Sequence, residues 1–184
     1  MRVIAGSARR LLLKTLPGDD VRPTTDMIKE TLFNMINFDI PGSRFLDLFA
    51  GSGAIGIEAL SRGASSAVFV DNNPAAAAVI KENIQHTHFD DKASVYTGDA
   101  VGVLRRLEGR EHFDIVFMDP PYDNALEDKV LRYLADSELI SPQTLIIIEQ
   151  SIGNEYLQFE NYGYFIQKVK EYKTNKHVFV KRES

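Results

Sequence analysis

The sequence predicts an α/β protein built on a mostly parallel seven-stranded sheet with helices on both faces. Three observations predict it. Between Arg44 and Ile148, five short apolar runs alternate with helical patterns, and repeated strand–helix units form parallel sheets with right-handed crossovers. The first apolar run leads into Gly51-Ser52-Gly53-Ala54-Ile55-Gly56, a glycine turn that ends a strand and opens a helix. The last stretch changes character: Tyr164 to Tyr172 and His177 to Lys181 read as two strands joined by Thr174-Asn175-Lys176, a terminal antiparallel hairpin.

Taken in order, Val3 to Ala5 and Leu11 to Lys14 read as two short strands around Gly6-Ser7, a small N-terminal β-hairpin. Pro17-Gly18-Asp19-Asp20 is a turn. Thr24 or Thr25 is the N-cap of a helix whose apolar face is Met27, Ile28, Thr31, Leu32, Met35 and Ile36. Phe45 to Phe49 is the first strand of the sheet, and Ala54 to Arg62 a helix closed by Gly63. Ala67 to Val70 is the next strand, followed by an alanine-rich helix from Pro74 to Gln85, with proline in its first turn. Ala93 to Tyr96, Phe113 to Met118 and Thr144 to Ile148 are further strands, separated by helices over Asp99 to Leu107 and Leu126 to Ala135. The simplest division is an extension over residues 1–20 and one domain over 21–184.

Composition bounds the class. The chain has 184 residues, 44% apolar and 26% charged, a soluble globular balance. No apolar run approaches a membrane span, and Met1 to Gly6 holds no signal-peptide core. There is no cysteine, which excludes disulfides and thiolate metal sites and suits a reducing cytoplasm. The net charge of −5 argues against nucleic-acid binding, but its distribution does not. Residues 1–16 carry Arg2, Arg9, Arg10 and Lys14 and no acid, and residues 168–182 carry Lys168, Lys170, Lys173, Lys176, Lys181 and Arg182 against Glu171 alone. Such ends are either a positive rim beside a pocket or solvated faces of edge strands.

The chemistry concentrates at two strand ends. After the first strand, Phe49, Ala50, Gly51 and Gly53 form a turn that lets a ligand approach the backbone. Asp71, 20 residues after Gly51 and followed by Asn72, can accept hydrogen bonds from ribose hydroxyls. These features fit NAD and S-adenosylmethionine alike. Asp47, just before the turn, would repel a pyrophosphate but suits a cationic sulfonium and amino group. Asp99, in Thr97-Gly98-Asp99-Ala100, can accept from an adenine amine while also capping the following helix. After the fourth strand stands Asp119-Pro120-Pro121-Tyr122. An exocyclic base amine is a poor nucleophile because its lone pair is delocalised into the ring. The Asp119 carboxylate and the Pro120 carbonyl can accept its two N–H bonds and hold the nitrogen. Two prolines stiffen the backbone and donate no competing N–H, and Tyr122 can stack on an extruded base, worth roughly 1–3 kcal/mol. No His/Asp/Glu cluster suggests a metal.

The residues also carry a resemblance. Met1 to Gly6, Arg22-Pro23-Thr24-Thr25, Glu30 to Asn34, Leu46 to Gly53, Gly56 to Gly63 and Asp119 to Tyr122 are similar to the RsmD-type methyltransferases. These belong to the Rossmann-like class I S-adenosylmethionine-dependent methyltransferases and modify the N2 amine of a guanine in bacterial 16S ribosomal RNA. Small size and limited basic surface suggest a substrate held in a small-subunit particle, a monomer is the default, and nothing in the residues calls for a metal or a membrane. The resemblance implies the class I methyltransferase fold, S-adenosylmethionine as cofactor and 16S rRNA as partner. It also implies that the segment from Arg22 to Thr25 closes over cofactor and substrate, and that the basic hairpin (Arg2, Arg9, Arg10) touches RNA together with Arg22, Thr24, Pro121 and Tyr122. One departure is Ser7 to Leu13, where the family often carries more Gly and Lys. The alternatives are an NAD-dependent oxidoreductase, an amino-methyltransferase acting on DNA adenine, another rRNA guanine or protein glutamine, and a non-catalytic RNA-binding protein.

Overall fold

The structure is a computed structural model of the 184-residue chain and describes residues 1–18, 25–121, 125–153 and 159–184. Its elements are α1 (Asp26–Met35), β1 (Arg44–Leu48), α2 (Ala54–Ser61), β2 (Ser66–Asp71), α3 (Pro74–Thr87), β3 (Ala93–Thr97), α4 (Ala100–Leu107), β4 (Ile115–Met118), α5 (Leu126–Ala135), β5 (Leu145–Ser151), β6 (Tyr164–Glu171) and β7 (Asn175–Arg182). The strands form one seven-stranded sheet in the order β3-β2-β1-β4-β5-β7-β6. The first five are mutually parallel, and β7 runs antiparallel between β5 and β6.

Both faces of the sheet are covered, which is why its central strands read as continuous apolar runs. Phe45, Phe69, Phe117, Ile147 and Phe179 pack on the side of α1, α2 and α3, with Leu32, Phe33, Ile57 and Ile80. Their strand neighbours Leu46, Val68, Val116, Ile146 and Val178 pack on the side of α4 and α5, with Leu104, Leu107, Val130 and Leu134. The helix ends follow local chemistry. Thr25 caps α1 by accepting from the Ile28 N–H at 3.2 Å, Asn73 caps α3 with Pro74 in its first turn, and Gly63, at φ 105°, follows the end of α2. No described helix is long and apolar enough to cross a membrane, and no cluster of described His, Asp or Glu residues could hold a metal ion.

Two segments differ from the sequence reading. The N-terminal chain does turn back on itself, but with one isolated bridge, Arg2 to Leu12, in place of two strands. Val3 N–H donates to Leu11 carbonyl, Arg10 N–H to Val3 carbonyl and Leu13 N–H to Met1 carbonyl, each at 2.9 Å, but Ile4 and Ala5 N–H donate to Glu58, so the pairing goes no further. At the other end, Asn175 and Lys176 belong to β7 and are not the turn. Buried Glu149 on β5 accepts from Asn175 Nδ2 at 2.7 Å, which draws that residue into the ladder.

Candidate functional site

Parallel strands emerge at one edge of the sheet, so the residues after β1, β2, β3 and β4 gather there. The chain leaves β1 toward β2, while β4 lies on the other side of β1. Strand order reverses at that point, where an open α/β sheet leaves a crevice.

The turn after β1 forms one wall. Gly51 and Gly53 adopt φ 57° and 79°, left-handed backbone that glycine takes without strain. Phe49 takes φ 59° although it has a side chain, a strain of about 1–3 kcal/mol of the kind found at ligand clamps. Gly56 brings α2 against the sheet: a Cβ there would lie 2.7 Å from Phe69 Cζ.

The carboxylates tie these loops together. Asp71 Oδ2 accepts from Gly51 N–H and its Oδ1 from Asn73 N–H, both at 2.9 Å. Each oxygen retains a second lone pair for a ligand. Asp99 Oδ1 caps α4 by accepting from Gly102 N–H at 2.8 Å. Asp47 is 1% exposed, and its Oδ2 accepts from Gly56 N–H at 2.9 Å. Burial pushes the Asp47 carboxyl well above the ordinary carboxylate range; the Gly56 N–H opposes this, and the charges of Asp71 and Asp119 add to it. The charges of Asp71 and Asp119 therefore reach the Asp47 carboxyl at this edge. An excess of negative charge in low dielectric favours a cationic ligand.

Phe49, Asp71, Asn72, Asp99 and Ala100, all singled out in the sequence, line a single cavity of about 50 Å³ with Val70, Gly98 and Leu126. Phe49, Asp99, Ala100 and Leu126 also line an adjoining groove of about 530 Å³ that continues over Arg105, Lys129 and Tyr133. Ala50 donates its N–H to Val70 carbonyl at 3.0 Å, which joins the glycine turn to the end of β2. Asp119 and Pro120 follow β4 directly, half-buried and buried respectively, and Pro121 is exposed. Arg22, Thr24 and Tyr122 lie outside the described residues.

Of the basic residues, Arg9 and Arg10 are exposed, and Arg2 pairs with Asp26 at the start of α1, 3.3 Å away. The basic C-terminal stretch is less available than its composition suggests. Lys176 is buried. Arg182 donates Nη1 to the carbonyls of Leu134, Ala135 and Ser137 and Nη2 to that of Ile140, so it closes the end of α5.

Two buried polar clusters carried no sequence signal. Glu149 on β5 accepts from His177 Nε2 at 3.1 Å and from Asn175. They stand one residue beyond the level of Met118, beside Asp119, because Met118 pairs with Ile148. The second is Glu58 with Lys29 and Arg62, under the N-terminal segment. Both unite residues far apart in the chain, which local periodicity does not register.

The chain is similar to several known proteins. Residues 1–181 match the family described as Conserved hypothetical protein 95. Ribosomal RNA small subunit methyltransferase D of Haemophilus influenzae is 35% identical over 163 residues, covering 88% of this chain and 84% of the relative. A candidate rRNA methyltransferase of Bacillus subtilis, YlbH, is 41% identical over 150 residues, 81% of this chain and 82% of its own. Among solved structures, a candidate methyltransferase of Escherichia coli, yhhF, is similar over 100% of this chain and 98% of its own, with a TM-score of 0.87 and 31% identity.

Proposed function

Because the chain belongs to the Conserved hypothetical protein 95 family, which includes the ribosomal RNA small subunit methyltransferase D proteins, we propose that it methylates the exocyclic N2 of a guanine in 16S ribosomal RNA, with S-adenosylmethionine as donor. One observation carries the reading: a crevice lined by Asp71 and Asp99 lies after β1, β2 and β3 at the switch point of a sheet whose next strand, β4, leads into Asp119-Pro120. The donor set suits the cofactor, since the crevice offers acceptors to a ribose and an amine and negative charge to a cation; among the described residues the cavity of about 50 Å³ is lined by no cationic side chain, and Arg105, Lys129 and Arg132 line only the adjoining groove.

S-adenosylmethionine supplies an electrophilic methyl on a sulfonium. The protein's part is placement. Asp71 accepts from the ribose hydroxyls and Asp99 Oδ2 from the adenine amine. Asp47 stabilises positive charge from below. The Asp119 carboxylate and the Pro120 carbonyl accept the two N–H bonds of the guanine amine, and Tyr122 stacks on the base. Alignment of the nitrogen with the methyl–sulfur bond provides most of the rate. As the N–C bond formed, the methyl–sulfur bond would break and leave its electron pair on the sulfur of S-adenosylhomocysteine; the nitrogen would become positively charged and lose one proton, and Asp119 would take it. Arg2, Arg9, Arg10, Arg22, Thr24 and Pro121 contact the RNA, held in a small-subunit particle. The chain acts as a cytoplasmic monomer.

Asp119→Ala tests the assignment. Turnover should fall by at least a hundredfold, the scale of general acid–base contributions, while S-adenosylhomocysteine binding stays near wild type. A variant that keeps wild-type turnover refutes it.

A further inference from the structure

The N-terminal segment is keyed to the body of the protein at two places. At the first, Glu58 accepts from Ile4 N–H at 2.9 Å and Ala5 N–H at 3.1 Å, Ser61 Oγ accepts from Ala8 N–H at 2.9 Å, and Ser61 carbonyl accepts from Ser7 N–H at 2.9 Å. Gly6 lies so close to the Ser61 carbonyl that any Cβ would overlap it. The second place is Asn83 on α3. It is 1% exposed. Its Oδ1 accepts from Lys14 N–H at 2.8 Å, and its Nδ2 donates to Lys14 carbonyl at 3.0 Å and to Ser52 carbonyl at 2.9 Å.

Those last contacts matter for function. Ser52 is the middle residue of Gly51-Ser52-Gly53, the turn whose Gly51 N–H donates to Asp71. Lys14 closes the segment that carries Arg2, Arg9 and Arg10. One buried amide thus holds the end of the basic segment with one N–H and the glycine turn with the other. A primary amide has two N–H donors, so Asn83 is fully engaged, and no other natural side chain of its size offers both donors and the acceptor. An apolar residue in its place would leave the Lys14 N–H and the Lys14 and Ser52 carbonyls without this partner.

We infer that Asn83 is a positioning residue that couples the glycine turn to the basic N-terminal segment, so that filling the cofactor crevice orders the surface that receives RNA. The inference rests on the reading of that crevice as the S-adenosylmethionine site. Coupling of this kind is reciprocal: RNA held by the segment tightens the cofactor site by the same factor.

Amide hydrogen exchange tests it on the full chain, with S-adenosylhomocysteine as the probe. In the wild type, saturating probe should slow exchange in peptides spanning residues 8–16 by about fivefold or more, the lower end of typical coupling. Asn83→Asp keeps an acceptor for Lys14 N–H but loses both donors. It should bind the probe and show no such slowing, and Asn83→Ser, too short to span the two carbonyls, should behave the same way. A purely structural asparagine predicts faster exchange of the segment in the variants but the same ratio with and without probe; an unchanged ratio overturns the coupling and leaves the crevice reading standing. A wild type that binds the probe without slowing exchange at residues 8–16 overturns the coupling whether or not the variants fold. A wild type that does not bind the probe overturns the crevice reading, and the coupling with it.

Discussion

Glu58→Ala is the perturbation with the largest expected effect on stability. The Glu58 and Lys29 side chains are both 0% exposed, with Lys29 Nζ 3.4 Å from Glu58 Oε2. Glu58 also accepts from Arg62 Nε at 2.9 Å and from two backbone N–H groups of the N-terminal segment. Burial already lowers the Lys29 pKa, against the opposing pull of Glu58 and Asp26. Removing the carboxylate leaves a buried ammonium and two orphaned N–H donors. Breaking one partner of a buried ion pair costs about 3–5 kcal/mol. For a chain of this size each kcal/mol moves the midpoint by about 2–4 °C, so thermal unfolding should shift down by ~6–20 °C. Limited proteolysis should then cut within residues 1–16 of the folded variant. The double variant Glu58→Leu/Lys29→Met should recover part of the loss, since apolar replacement of a buried pair is often neutral, but not all of it, because Ile4 and Ala5 N–H stay unpaired. A Glu58→Ala loss under about 1 kcal/mol, the scale of an exposed pair, would refute the reasoning.

Three further outcomes follow from the same physics. Asp47→Asn removes a carboxyl whose ionised form burial disfavours and a bound cation favours, and keeps the acceptor for Gly56 N–H. Its unfolding midpoint should be unchanged or higher, while affinity for cationic S-adenosylmethionine falls by roughly tenfold, about 1.4 kcal/mol, and more than affinity for the neutral sulfur of S-adenosylhomocysteine; equal affinities would contradict the electrostatic role. Gly56→Ala pushes a Cβ into Phe69, which is 0% exposed, and overpacking of this kind costs about 1–3 kcal/mol, readable as a lower urea midpoint; a wild-type midpoint would show that the ring yields freely. Burial, with the Glu108 hydrogen bond, pushes the Tyr133 hydroxyl up to about 12, and burial, with the Glu149 charge, pushes Tyr172 up to about 12. Both phenols stay protonated in the fold while the unfolded chain ionises near 10, so their stabilising effect is complete below pH 10 and is lost as pH rises toward 12. Lys29 acts oppositely, since its lowered pKa makes its burial less costly as pH approaches 10.5. A urea midpoint that falls between pH 10 and 11 shows the tyrosines prevailing, and a flat profile contradicts it.

The sheet was legible because its central strands are buried on both faces. Ile115 to Met118 and Leu145 to Ile148 read as unbroken apolar runs, and Phe45 to Leu48 is interrupted by Asp47 alone; local cues such as Thr25, Pro74 and Gly63 marked helix ends. The crevice was legible for a similar reason: Phe49, Gly51, Asp71 and Asp99 each follow a strand directly, and parallel strands deliver their ends to one edge. What escaped were polar residues whose partners lie far along the chain. Glu149 and His177 read as ordinary polar positions until β7 pairs with β5, and Asn83 reads as one more polar residue on an amphipathic helix. Arg182, counted among surface cations, is engaged by four carbonyls. The N-terminal segments do pair antiparallel, as their pattern reads, but the pairing stays short because Glu58 takes the Ile4 and Ala5 N–H groups.

The most direct measurement is methyl transfer from labelled S-adenosylmethionine to small ribosomal subunits from cells lacking this protein, with naked 16S rRNA and duplex DNA in parallel, followed by identification of the modified nucleoside by mass. The account predicts label as N2-methylguanosine in the small-subunit RNA. Label in DNA adenine or in protein, or cofactor binding with no transfer to any of these substrates, would contradict it.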